Sequence, residues 1–168
     1  MSYAYSEDGL IEKATQDVLE ELGWEVVTAW PSETFGPDGQ LGREDKSEVL
    51  LQRDIRLAID RYNEDIPEIA IQQAIDVLRA RIVGQDPGRI NKDKYQLLKH
   101  GVPVSYTDNK GELVQKKLKI FDFRDAVNNK FLAVRQLEIL GDMYLRRPDV
   151  ICFVNGIPLV FIELKIII

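Results

Sequence analysis

Residues 147–165 read RPDVICFVNGIPLVFIELK. Asp149 opens the run, apolar residues fill it, and Glu163 and Lys165 close it. Asn155-Gly156 is a strong turn signal, so the stretch predicts a hairpin of two core strands with charge at one end. Whether the charges meet depends on the turn. A two-residue loop pairs Val154 with Ile157 and leaves Asp149 opposite Ile162, with Glu163 on the other face. A three-residue loop over residues 155–157 pairs Val154 with Pro158 and sets Asp149 across from Glu163, with Cβ atoms roughly 5 Å apart. A single bulge restores the same parity. Pro158 cannot donate to a ladder, which suits a bulged or edge position. An odd loop or a bulge is therefore expected. Glu163 and Lys165, two apart on a strand, share a face.

Two adjacent carboxylates repel and raise one pKa unless a cation neutralises them. Mg²⁺ takes one or two carboxylates, keeps several waters and binds phosphate oxygens. A lysine beside it can hold the attacking water and stabilise developing charge. Asp149, Glu163 and Lys165 thus form a minimal kit for phosphodiester hydrolysis. By spacing alone the simpler assignment is a turn-capping Asp149 and a solvated edge strand ending in Glu163 and Lys165.

The 168 residues are enough for one compact domain, and 45% apolar with 30% charged residues is an ordinary globular balance. A net charge of −6 argues against gripping nucleic acid by bulk electrostatics, though not against local basic patches. MSYAYSEDGL has no apolar signal region, and no apolar run approaches the ~20 residues of a membrane span. A soluble cytoplasmic protein with no membrane partner is expected. One cysteine, Cys152, excludes an internal disulfide and a Cys-rich zinc site. One histidine, His100, leaves no His-based triad and reads as a helix-end residue.

Along the chain, Ser6 can cap a helix with apolar positions at Leu10, Ile11, Ala14, Val18, Leu19 and Leu22. Gly23 ends it and WEVVTA reads as a strand. PSETFGPDGQLGRED is a loop. Helical periodicity over 44–83 predicts a helical hairpin, with Pro67 in the first turn of its second helix. GQDPGR is a loop, and a short helix over Lys92–Lys99 follows. VPVSY, a turn at DNKG, ELVQKKLKIFDF, FLAVRQLEIL and the final hairpin then predict four or five mostly antiparallel strands. The fold class is mixed α/β, with a mixed sheet flanked by helices and an inserted helical hairpin.

Pro148-Asp149 with Glu163-Leu164-Lys165 resembles the PD-(D/E)xK nuclease motif. The fuller RPDVICFVNGIPLVFIELK, with GVPVSY, KIFDF, NNKFLAVRQLEILG and SEDGLIEKATQDVLEELGW in that order, resembles the N-terminal nuclease domain of the restriction (R) subunit of type I restriction enzymes. The resemblance covers most of residues 1–168 and is most specific in the last third. It implies a restriction-endonuclease-like fold and a Mg²⁺-dependent endonuclease cutting double-stranded DNA. Asp149 and Glu163 would be metal ligands and Lys165 the catalytic lysine. The wider fold implies a first-helix glutamate near the metal, with Glu12 as candidate and Glu7 as competitor. Gln136 is a further candidate at the site, and Arg146 and Arg147 are candidates for DNA phosphates. The implied partners are the modification and specificity subunits.

The family continues into an ATP-driven translocase, whereas these residues contain no G-x-x-x-x-G-K-[ST] loop, so no ATP site of that kind is expected here. In relatives a helix carrying a glutamine and an aromatic follows the lysine. A fragment, poorly active or inactive alone, is therefore expected. Two other readings stand beside this one: a different PD-(D/E)xK enzyme of repair or junction cleavage, and a non-catalytic docking domain with the same fold.

Overall fold

The computed structural model describes residues 7–80, 84 and 86–165. In chain order these form α1 (Glu7–Glu21), β1 (Glu25–Thr28), α2 (Gln52–Tyr62), α3 (Glu68–Arg79), α4 (Pro87–His100), β2 (Val102–Thr107) and β3 (Leu113–Leu118). Then follow β4 (Phe131–Arg135), β5 (Ile139–Leu140), β6 (Leu145–Arg146), β7 (Val150–Val154) and β8 (Ile157–Ile162). They fall into two compact units, one of residues 1–51 and 130–168, the other of residues 52–129.

The first unit is built on a four-stranded sheet in the order β1-β4-β7-β8. β1 runs parallel to β4, and the other pairs are antiparallel, so the sheet is mixed. All five residues of β7 are buried. Alternate side chains explain this: Ile151 and Phe153 join one apolar cluster with Leu132, Val134 and Leu137, while Val150 and Cys152 join another with Leu19 and Ala133. A strand covered on both faces reads as continuously apolar rather than alternating. Burial pushes the Cys152 thiol pKa up, as for an inert core cysteine.

On one face of this sheet sits α1, held by Leu19. Of its expected apolar face, Val18 and Leu22 are exposed. The helix ends in a Schellman motif: the Trp24 N–H donates to Leu19 O at 3.0 Å and the Gly23 N–H to Glu20 O at 3.0 Å. Gly23 has φ +86°, a conformation that favours glycine. The Ser6 cap and the Glu7 side chain lie outside the described residues.

Loop 29–51 covers the other face with Ala29, Leu41 and Leu51. Its anchor is Arg43, whose side chain has no solvent exposure. The guanidinium donates to both Glu33 oxygens, at 2.8 and 2.5 Å, and to the carbonyls of Glu48 and Glu138. A buried charge needs this complete set of partners. No sequence pattern marked Arg43.

The β7–β8 turn has Asn155 at φ +47° and Gly156 at φ +82°, as a type I′ turn requires. Asn155 exchanges hydrogen bonds with Lys130 through its N–H (2.9 Å) and its side-chain oxygen (2.8 Å). Gly156 O accepts the Leu51 N–H at 3.0 Å.

In the second unit, α2 and α3 form the expected helical hairpin around buried Ile55, Ile59, Ile71 and Ile75. Arg56 reaches across it to Glu68 and, at 2.6 Å, to Gln72. β2 and β3 make a separate antiparallel ribbon against α3, pinned where the Ser105 N–H donates to Gln73 at 3.0 Å. Lys94 donates to the carbonyls of Val77, Leu78 and Ala80, and so satisfies the C-terminal end of α3.

Several boundaries differ from expectation. Residues 44–51 are loop, because Val49 and Leu50 precede α2 rather than belong to it. The expected loop is instead a helix start from Asp86 on: Asp86 accepts the Arg89 N–H as N-cap and Pro87 takes the first position, so α4 is longer than 92–99. Pro67 is the N-cap of α3, one place earlier than expected. The strand expected over 112–123 stops at Leu118, and FLAVRQLEIL is broken at Gln136. Among the described residues no helix is long and apolar enough to cross a membrane.

Candidate active site at the end of the central strand

The register of β7 and β8 decides the site. The turn has two residues, and Val154 pairs with Ile157 and Phe153 with Pro158. The ladder then shifts, so that Cys152 pairs with Val160, Ile151 with Phe161 and Val150 with Ile162. Leu159 is the extra residue of a β-bulge beside Pro158. The three-residue loop is not used; the bulge provides the parity instead. One further step of this register sets Asp149 across from Glu163. β8 ends at Ile162, so Glu163 and Lys165 lie just past the ladder and are exposed.

Asp149 is the best-connected of the candidate carboxylates among the described residues. Its Oδ2 accepts the Leu164 N–H at 2.7 Å, which clasps the segment carrying Glu163 and Lys165. Its Oδ1 accepts from Gln136 Nε2 at 3.2 Å, and its carbonyl accepts the Gln136 N–H at 3.0 Å. Gln136 also reaches Glu12 Oε1 at 3.3 Å. Glu12, on α1, is fixed by Arg135 at 2.6 Å through its other oxygen. Gln136 thus links the first-helix glutamate to Asp149. The Glu7 alternative cannot be placed in this way, since its side chain lies outside the described residues.

Gln136 holds a left-handed backbone, φ +53°. That conformation is uncommon for a non-glycine residue and persists where neighbours fix it. Here the Trp30 N–H donates to Gln136 O at 3.3 Å while the Gln136 N–H is held by Asp149. The twist ends β4 and turns the amide inward.

Arg147 stacks on the Trp30 ring, 4.1 Å from its centroid, and Arg146 lies 5.9 Å from the Tyr144 centroid. Arg135, the Leu164 N–H and Trp30 escaped the sequence reading. Only Arg135 carried a signal, a lone cation at the exit of an apolar strand.

Among the described residues no group of three or more His, Cys, Asp or Glu is close enough to cage a metal. Mg²⁺ does not need such a cage, since one or two carboxylates and waters suffice. A carboxylate offers about four lone-pair positions. The two hydrogen bonds to Asp149 therefore leave each oxygen able to accept again. The donor set fits a hard divalent cation.

A mixed sheet with α1 on one face and carboxylates gathered at one strand end is a restriction-endonuclease-like fold. Residues 4–166 match the family model described as the type I restriction enzyme R protein N terminus, and the chain belongs to that family. It is 37% identical over 161 residues to the type I restriction enzyme HindI endonuclease subunit of Haemophilus influenzae, covering 92% of this chain and 14% of that protein. It is 29% identical over 165 residues to the putative type I restriction enzyme MjaIXP endonuclease subunit of Methanocaldococcus jannaschii, covering 95% and 15%. The chain therefore spans about one-seventh of the length of these relatives.

Proposed function

We propose that this chain is the nuclease part of a type I restriction enzyme, hydrolysing phosphodiester bonds of double-stranded DNA with Mg²⁺. The observation that carries the reading is the bulge at Leu159: its register, continued one step past the Val150–Ile162 pair, would set Asp149 across from Glu163. Asp149 and Glu163 would hold the ion, which when bound supplies charge neutralisation at a phosphate and a more acidic water. Lys165 donates hydrogen bonds to the attacking water and to the charge that develops as the water oxygen bonds phosphorus and the leaving oxygen departs. Glu12 and Gln136 orient Asp149. The fit of this donor set to one ion and the family membership of the chain support these assignments.

ATP-driven translocation belongs to this reading as work of a motor outside residues 1–168. The modification and specificity subunits would be the partners, and they would supply DNA recognition for an acidic nuclease domain.

The test is Mg²⁺-dependent cleavage by a full subunit carrying this sequence, with its partner subunits and ATP, against Lys165→Ala. Loss of cleavage with intact ATP hydrolysis is expected. Equal cleavage by both proteins would remove Lys165 from the chemistry and favour a docking role for the domain. Cleavage that needs neither ATP nor partners would point instead to a stand-alone nuclease.

A further inference from the structure

Between Gln136 and Asp149 the chain makes a small hairpin, β5–β6, that the proposed chemistry does not use. Its root is fixed. Ile139 packs on the core, the Leu140 N–H donates to Lys46 O at 2.9 Å, and Lys46 pairs with Glu138 at 2.5 Å. Its tip is closed by the Gly141 N–H donating to Tyr144 O at 3.0 Å. That tip carries the exposed Asp142 and two exposed side chains with apolar bodies: Met143 is 78% and Tyr144 61% exposed.

Two adjacent guanidiniums follow it. Arg146 lies 5.9 Å from the Tyr144 ring centroid, and Arg147 stacks on Trp30 at 4.1 Å. Stacking fixes the plane of an arginine and leaves its N–H edge to meet phosphate. Among the described residues neither arginine is paired with a carboxylate. Exposed methionine and tyrosine next to two phosphate-seeking arginines make a combination suited to the minor groove, where apolar wedges enter between base steps.

We propose that the β5–β6 hairpin is a duplex-DNA contact element, with Arg146 and Arg147 on backbone phosphates and Met143 and Tyr144 entering the minor groove beside the cleavage position. This rests on the nuclease reading for its placement. Tyr144 lies five residue steps before Asp149, so the tip reaches no more than about 18 Å from the site. At 3.4 Å per base pair that is within about five base pairs of the scissile phosphate.

The test uses this 168-residue chain and a fluorescent 30-base-pair duplex in Ca²⁺, with affinity measured across salt concentrations. Arg146→Gln with Arg147→Gln should weaken binding about tenfold or more and lower the salt slope by about 2. Met143→Ser with Tyr144→Ser should weaken it several-fold with the slope unchanged, because no phosphate contact is lost. Thermal melts of both variants should match the parent, since these side chains are exposed. Unchanged affinity and slope in both variants, or no duplex binding by the parent, overturns the proposal. Substitutions that alter only self-association of the chain, seen by sedimentation, also overturn it and make the hairpin a protein contact. Asp149→Ala separates the two readings: in the full subunit it should abolish cleavage, and in this chain it should leave the hairpin-dependent salt slope in place.

Discussion

Gln136 and Asp149 are joined twice, by a backbone hydrogen bond of 3.0 Å and a side-chain hydrogen bond of 3.2 Å. The first fixes where β4 ends and the second fixes how the carboxylate is turned. The same amide reaches Glu12, so one side chain aligns two acids from distant parts of the chain. Residues that orient metal ligands typically contribute 10–100-fold to metal affinity or activity. In the full subunit, Gln136→Ala should therefore lower the cleavage rate about 10–100-fold and raise the Mg²⁺ concentration needed for half-maximal rate. A change in rate with no change in Mg²⁺ dependence would disconnect Gln136 from the ion.

The bulge gives a test based on chain length. Deleting Leu159 leaves Cys152 facing Val160 and only regularises the ladder, so Asp149 still faces Glu163. Inserting one alanine between Val160 and Phe161 instead moves Glu163 to the opposite face. The deletion should retain cleavage to within about tenfold; the insertion should abolish it, as removal of aligned reacting groups does. Equal effects from both edits would mean that register at this end does not matter.

Arg43 is a stability residue. Arg43→Met leaves Glu33, with a side chain only 7% exposed, without its partner. Breaking a buried pair from one side costs about 3–5 kcal/mol. Urea denaturation should show that loss, and adding Glu33→Gln to Arg43→Met should recover part of it. A single variant as stable as the parent would show that loop 29–51 does not depend on this anchor.

Asp122 links acid stability to one loop. Hydrogen bonds from the Asn128 side chain and then from the Asp125 and Arg124 N–H groups hold its pKa below the ordinary 3.8. A carboxylate with a lowered folded pKa stabilises the fold fully above 3.8 and loses that contribution as pH falls through its folded value. Asp122→Asn should be less stable than the parent near pH 6, and the gap should close as acid titrates the parent below pH 3.8. A gap that stays constant into strong acid would remove the charge from the explanation.

The irregularity in the hairpin was legible because Pro158 cannot donate to a regular ladder. The sequence could not choose between an odd loop and a bulge, since Asn155-Gly156 and Pro158 point to different solutions. The end of α1 and the presence of β1 after it were legible from Gly23 and the change of period. Loop 29–51 was not read as a core layer, because Ala29, Leu41 and Leu51 have no periodicity, and a buried arginine looks like any other cation. α4 was shortened because Asp86-Pro87-Gly88 contains turn residues that also start helices. The break at Gln136 was invisible because long-range hydrogen bonds, not local propensity, hold its backbone.

Leu51 and Lys130, the last and first residues of the first unit around the insertion, both bind the same turn. Leu51 meets Gly156, and Lys130 meets Asn155. The splice points are thus stapled together by the sheet itself, independently of the 78 residues between them. A short flexible linker from Leu51 to Lys130 in place of those residues should leave the sheet, the bulge and Asp149 where they are. What is stitched into that gap can change while the Asp149 end of the sheet keeps its shape.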